Sequence, residues 1–248
     1  MNFYLKLKAK MERRIELSLK MPELKKASNP WVPRNREQLS LEENALLDIK
    51  SLLNKLTPEM KEKLTMKISD RIDLVPNHHD DVIERFFNSA CMNKSYIQIY
   101  SELVRDLTRE YEGQEPELTQ RSKSLKKSIL KRCQYEFKEM KSKESIILIG
   151  ELYNVDVIPK KIIGMCINKM TRNLGNSNTL EMCCEMIRVT GKEFGDDLNK
   201  FMICLEERRE IEEDKRLKFM IMDLFDLREK GWLTVDKGPK KIYDIRHD

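Results

Sequence analysis

Apolar residues recur at helical spacing through most of the chain, and short breaks interrupt them. Ile83, Phe86, Phe87 and Ala90 fall at i, i+3, i+4 and i+7, one side of an α-helix. Leu180, Cys183, Cys184 and Ile187 repeat the spacing, as do Leu198, Phe201, Met202 and Leu205, and again Leu217, Met220, Ile221 and Leu224. Leu46, Ile49, Leu53 and Leu56 make a further stripe. Breakers stand between them: Val75-Pro76-Asn77, Gly113 to Pro116, Pro159, Asn173 to Asn178, and Gly191 to Gly195. A helix with one apolar stripe must bury it against a neighbour. The pattern therefore predicts an all-α chain of about ten helices in antiparallel pairs, with about 40 residues to a pair. Thr57 reads as an N-cap with Pro58 at the first helical position. Gly150, a lone helix glycine, is expected to allow close helix approach, and Cys183-Cys184 to be small buried thiols on a core face.

That period is the one found in HEAT-like α-solenoids, here of about five antiparallel helix pairs across residues 41–235. The pairs share no clear identity with one another, so the repeat rests on helix length and spacing. Eight glycines and eight prolines in 248 residues are few for a turn-dense β fold. Fourteen methionines suit irregular packing between pairs. Charged residues make up 36%, and no apolar run approaches the ~18 residues of a membrane span, so no membrane partner is expected. The six cysteines form no C-x-x-C pair, which argues against zinc or a disulfide framework and fits a reducing compartment.

Residues 1–40 read as a basic arm with an extended anchor, and residues 236–248 as a C-terminal tail. Residues 1–38 carry ten Lys or Arg against four Glu, so the arm alone exceeds the whole chain's +5. Lys6, Lys8, Lys10, Arg13, Arg14, Lys25 and Lys26 are the candidate RNA-binding residues; a solubilising tail is the competing reading. Tyr4, Leu7, Met11 and Ile15 predict an amphipathic helix over residues 3–20. Pro30 and Pro33 frame Trp31 and Val32 in an extended segment, and Trp31 is expected to anchor in a pocket of its own domain or of a partner.

Chemistry finds little support. His78-His79-Asp80-Asp81 is the one cluster with metal-ligand residue types, but neighbours on a helix point apart. Asn77 as N-cap with acids in the first turn accounts for it without a metal. Phosphate-binding glycine loops are absent. Glu206-Glu207 and Glu212-Glu213 lie among arginines and a lysine, a salt-bridged surface rather than an acid/base pair. No catalytic residue, cofactor or metal is expected, and the chain reads as a non-enzyme.

An arm segment and six further segments, in order, resemble the middle domain of the translation initiation factor 4G family. They begin with Asn29-Pro30-Trp31-Val32-Pro33 and Leu53-Asn54-Lys55-Leu56-Thr57-Pro58-Glu59-Met60. Phe87, Ala90, Tyr96 and Tyr100 fit the second repeat; Leu130-Lys131-Arg132-Cys133-Gln134-Tyr135-Glu136-Phe137 and Ile149-Gly150-Glu151-Leu152-Tyr153 follow. Arg216 to Met220 then leads through Asp223, Asp226-Leu227-Arg228 and Trp232 to Gly238-Pro239-Lys240-Lys241-Ile242. The resemblance implies five HEAT-type helix pairs in a cytoplasmic scaffold of protein biosynthesis. Its implied partners are the DEAD-box RNA helicase initiation factor 4A and, non-specifically, mRNA. It also implies a two-point grip: Trp31, Val32 and Pro33 on one helicase lobe, and the last repeats, with candidates Arg216, Lys218, Asp223 and Arg228, on the other.

No tyrosine begins the family's cap-binding-protein motif; Tyr4 has Ala9 where leucine is required. A cap-binding protein is therefore not an expected partner of this chain. Two other readings stay open: a related scaffold of nuclear RNA processing or nonsense-mediated decay, and a general peptide-binding α-solenoid.

Overall fold

The computed structural model describes residues 39–109, 115–140 and 142–233. The chain divides into two units, Met1–Leu39 and Ser40–Asp248, and the described helices belong to the second. Among the described residues ten α-helices follow one another, with no strand. They are α1 (Leu41–Leu53), α2 (Lys61–Asp73), α3 (His79–Met92), α4 (Ile97–Thr108), α5 (Pro116–Glu139), α6 (Lys143–Asn154), α7 (Lys160–Thr171), α8 (Ser177–Phe194), α9 (Asn199–Ile211) and α10 (Lys215–Glu229). Short 3₁₀ turns at Pro58–Met60, Lys94–Tyr96 and Gly195–Leu198 lead into α2, α4 and α9.

Odd and even helices form two layers. In the odd layer α1 packs on α3, α3 on α5 and α7 on α9; in the even layer α2, α4, α6, α8 and α10 stack in sequence. Pairs begin at Leu41, His79, Pro116, Lys160 and Asn199, the HEAT-like step of about 40 residues. The predicted stripes face inward: Ile49, Phe87, Ala90, Cys183, Ile187, Leu205 and Ile221 are buried. Of the residues in those stripes, Met220 alone is only half-buried.

Local chemistry sets the ends. Ser40 and Glu43 form a reciprocal capping box at α1, with bonds of 2.8 and 3.1 Å. Ser142, Asn176 and Asp214 accept backbone N–H bonds at the starts of α6, α8 and α10. Thr57 stands at the expected cap position before Pro58, but its side chain makes no cap bond, and the turn it opens is 3₁₀. The expected Asn77 cap is corrected. His78 N–H bonds to the Val75 carbonyl at 3.0 Å, so Asn77 lies within a turn, and α3 starts at His79 with His78 at the cap position.

The expected break from Gly191 to Gly195 is also corrected. Gly191 lies inside α8, and only Gly195, at φ +63°, ends the helix. After α10, Gly231 and Trp232 take φ of +65° and +62° and turn the chain back. The Trp232 indole then lies on Gly191: a Cβ there would stand closer than 3.0 Å to three ring carbons. Gly150 behaves as expected of a close approach. A Cβ on it would stand 2.8 Å from Val189 Cγ1, where α6 meets α8.

Candidate functional site

The His78–Asp81 cluster does not converge. His78 Nδ1 pairs with Asp81 at 3.0 Å, and Nε2 lies 3.3 Å from Glu42 on α1. These acids, Asp81 first, raise its pKa above the ordinary histidine value. His79 turns inward, 2.7 Å from Ser124 Oγ, and burial pushes its pKa down. Asp80 pairs with Lys131, which holds its carboxyl below the usual range. The cluster thus ties α1, α3 and α5 together, and no group of three or more His, Cys, Asp or Glu among the described residues is placed to share a metal ion.

The even layer is different at its C-terminal end. Between α8 and α10 opens a cleft of about 420 Å³ bordered by Cys184, Arg188, Arg216, Phe219 and Asp223. An ionic ladder runs along its base. Arg216 Nη2 donates to Glu181 at 2.8 Å, and Arg188 Nε to Glu185 at 2.8 Å; Lys143 of α6 also pairs with Glu185. The Arg216 bond pulls the Glu181 carboxyl below its ordinary value. Glu185 is almost wholly buried, so its two cations are what make that burial tolerable. Above the ladder Phe219 is 60% exposed, between Arg216 and Asp223 on the same side of α10. An exposed aromatic ring beside arginine at the mouth of a cleft is the composition of protein–protein contact centres.

The MIF4G domain, as a family description, matches residues 47–231 of this chain. The chain belongs to the MIF4G-domain family. Over 84% of its length it is 27% identical to eukaryotic translation initiation factor 4G of Oryza sativa, covering 14% of that protein. Over 91% it is 24% identical to human eukaryotic translation initiation factor 4 gamma 3 and 26% identical to the Saccharomyces cerevisiae initiation factor 4F subunit p130. It spans 18% and 31% of those two, so the matched part is one domain of longer proteins.

Within this MIF4G domain the four C-terminal candidates separate. Arg216 and Asp223 come together at the α8–α10 cleft. Lys218 lies two residues from Arg216, about 200° round the helix, and is half-buried. Arg228 donates to Asn199 Oδ1 and ties the last turn of α10 to the start of α9. Phe219 and Arg188 were not singled out from the sequence. Phe219 had a legible signal, since it falls off the Leu217–Leu224 stripe and is thus an aromatic on a solvent side. Arg188 had none, because its role depends on which helix α8 meets. Trp31, Val32, Pro33, the arm residues Lys6, Lys8, Lys10, Arg13, Arg14, Lys25 and Lys26, and the tail beyond Leu233 lie outside the described residues. No described helix is long and apolar enough to cross a membrane.

Proposed function

We propose that this MIF4G domain is a non-catalytic, cytoplasmic scaffold of translation initiation that holds initiation factor 4A and contacts RNA. The observation that carries the reading is the α8–α10 cleft, where exposed Phe219 stands between Arg216 and Asp223. Family membership and the likeness to initiation factors 4G support the choice of partner. Trp31 with Val32 and Pro33 supplies the second contact, and the arm's lysines and arginines the RNA contact. Binding both helicase lobes near their productive arrangement raises the population of the closed state, so ATP turnover rises without any residue of this chain touching ATP. A tenfold shift requires about 1.4 kcal/mol of preferential binding to that state.

The test is the RNA-dependent ATPase rate of initiation factor 4A with and without the full chain. Turnover is expected to rise, and Phe219→Ala to weaken the complex about tenfold or more at unchanged melting temperature. Trp31→Ala should act in the same direction. Absence of both binding and stimulation would refute the reading. Binding to a different DEAD-box helicase instead would move the chain to the nuclear-processing or decay branch.

A further inference from the structure

The odd layer has a gap. Among the described helices, α5 and α7 are successive members of that layer that do not pack closely, whereas the other neighbours in it do. Between them lies a cleft of about 550 Å³, within the roughly 300–1,000 Å³ of small-ligand and side-chain pockets. Its walls are two helical stripes: Leu130, Cys133 and Phe137 on α5 at i, i+3 and i+7, and Ile162, Met165 and Cys166 on α7 at i, i+3 and i+4. Ile149 of α6, fully buried otherwise, forms the floor. Two segments singled out in the sequence, Leu130–Phe137 and Ile149–Tyr153, therefore meet here, on the layer opposite the α8–α10 cleft.

The rim is of one sign. Lys131, Lys138 and Lys169 border the opening, and among the described residues no Asp or Glu lines it; Lys131 is already paired with Asp80, which leaves Lys138 and Lys169 to meet a partner's charge. Glu136 on the same helix is turned away to Arg132, at 2.6 Å, and is 9% exposed. Burial pushes the Cys166 thiol up to about 11 and the Cys133 thiol higher still, so both are neutral and pack as small apolar groups. Met165, 55% exposed, offers an adaptable thioether at the mouth.

We propose that this groove docks a short amphipathic helix of a partner protein, its apolar stripe between α5 and α7 and its acidic flank on Lys138 and Lys169. The lining runs seven residue steps on each helix, Leu130 to Phe137 on α5 and Ile162 to Lys169 on α7, which is about 10 Å or two helical turns and matches an i, i+3, i+7 anchor set. Charge excludes the chain's own arm as the fitting occupant, since residues 1–38 are strongly basic. RNA fits less well. The one aromatic among the described lining residues, Phe137, is half-buried and carries Lys169 Nζ over its ring at 5.5 Å, and the remaining apolar walls are aliphatic or sulfur, so the groove offers no stacking platform for successive bases.

The experiment uses the full chain and three fluorescent probes. One is an amphipathic peptide of about 18 residues with leucines on one face and glutamates on the other. The second replaces each glutamate with lysine, and the third is a uridine oligonucleotide. Fluorescence anisotropy should show the acidic peptide binding at least about tenfold more tightly than the basic one. Met165→Glu and Lys138→Glu should each weaken it about tenfold, with circular dichroism and melting temperature unchanged because both side chains are exposed. Equal affinity for the two peptides would overturn the proposal, as would acidic-peptide binding insensitive to both substitutions. Loss of oligonucleotide binding, rather than peptide binding, on Met165→Glu would assign the groove to RNA. A rise in peptide affinity on Trp31→Ala would assign it to the chain's own arm. None of these outcomes depends on the helicase.

Discussion

Gly191→Ala exchanges a gain that any helix offers for a loss that only this tertiary packing imposes. Gly191 lies inside α8, where alanine is favoured over glycine by about 1 kcal/mol. The added Cβ, however, would stand closer than 3.0 Å to three carbons of the Trp232 six-membered ring. The ring has little room to slide, because Gly231 and Trp232 both hold positive φ and Trp232 N–H bonds to the Leu227 carbonyl at 2.9 Å. Re-exposing about half of the roughly 150–250 Å² that an indole can bury, at ~25 cal/mol per Å², costs about 2–3 kcal/mol. The net loss is then about 1–2 kcal/mol, a fall in melting temperature of roughly 2–8 °C for a domain of this size. The decisive arm is the Trp232→Ala background. With no ring to displace, Gly191→Ala should there stabilise by about 0.5–1 kcal/mol, reversing its sign. Thermal melts of the four proteins make the double-mutant cycle. A stabilising Gly191→Ala in the otherwise unchanged chain would refute the packing of Trp232 on α8.

Other interactions give further expectations. Tyr100 Oη donates to the Leu53 carbonyl at 2.8 Å, an acceptor at the end of α1, so Tyr100→Phe should cost about 1–2 kcal/mol in urea denaturation; no change would mean that the carbonyl finds another donor. The two histidines should show opposite pH dependence. The raised pKa of His78 makes its contribution complete below about 6.5 and lost as pH rises through the folded value, so the deficit of His78→Asn should shrink between pH 5.5 and 8. The lowered pKa of His79 makes its contribution complete above about 6.5 and lost as pH falls through the folded value, so the deficit of His79→Asn should grow over the same interval. Parallel pH profiles would contradict both assignments. For RNA, replacing Lys6, Lys8 and Lys10 together by Glu should lower the salt slope of affinity by about 0.7 for each phosphate that is no longer neutralised. An unchanged slope would move RNA binding to the helical unit.

Periodicity by itself determined the class of this protein. Faces such as Ile83–Ala90 and Leu198–Leu205 had to be buried, and breakers such as Pro76 and Pro159 set most of the pair boundaries, because an apolar stripe and a missing N–H act within a few residues of themselves. The ordered segments were enough to indicate the family. Boundaries without glycine or proline were not legible. Met140 ends α5 in a left-handed conformation at φ +44°, and Glu212 to Asp214 separate α9 from α10, both without a sequence breaker. Gly191 shows the reverse. Its local preference says break, yet α8 runs through it, and a distant indole fills the space that a side chain there would need. The same limit applied to function. Arg216 and Asp223 were legible as charged residues in the last repeat, as were Lys218 and Arg228. Helical spacing puts the first two on the side of Phe219; only the stacking of α8 against α10 set that side over a cleft, and only the packing of α10 on α9 brought Arg228 to Asn199. The gap between α5 and α7 belongs wholly to the tertiary structure, because a groove exists only where two apolar stripes fail to meet, and each stripe alone reads as core.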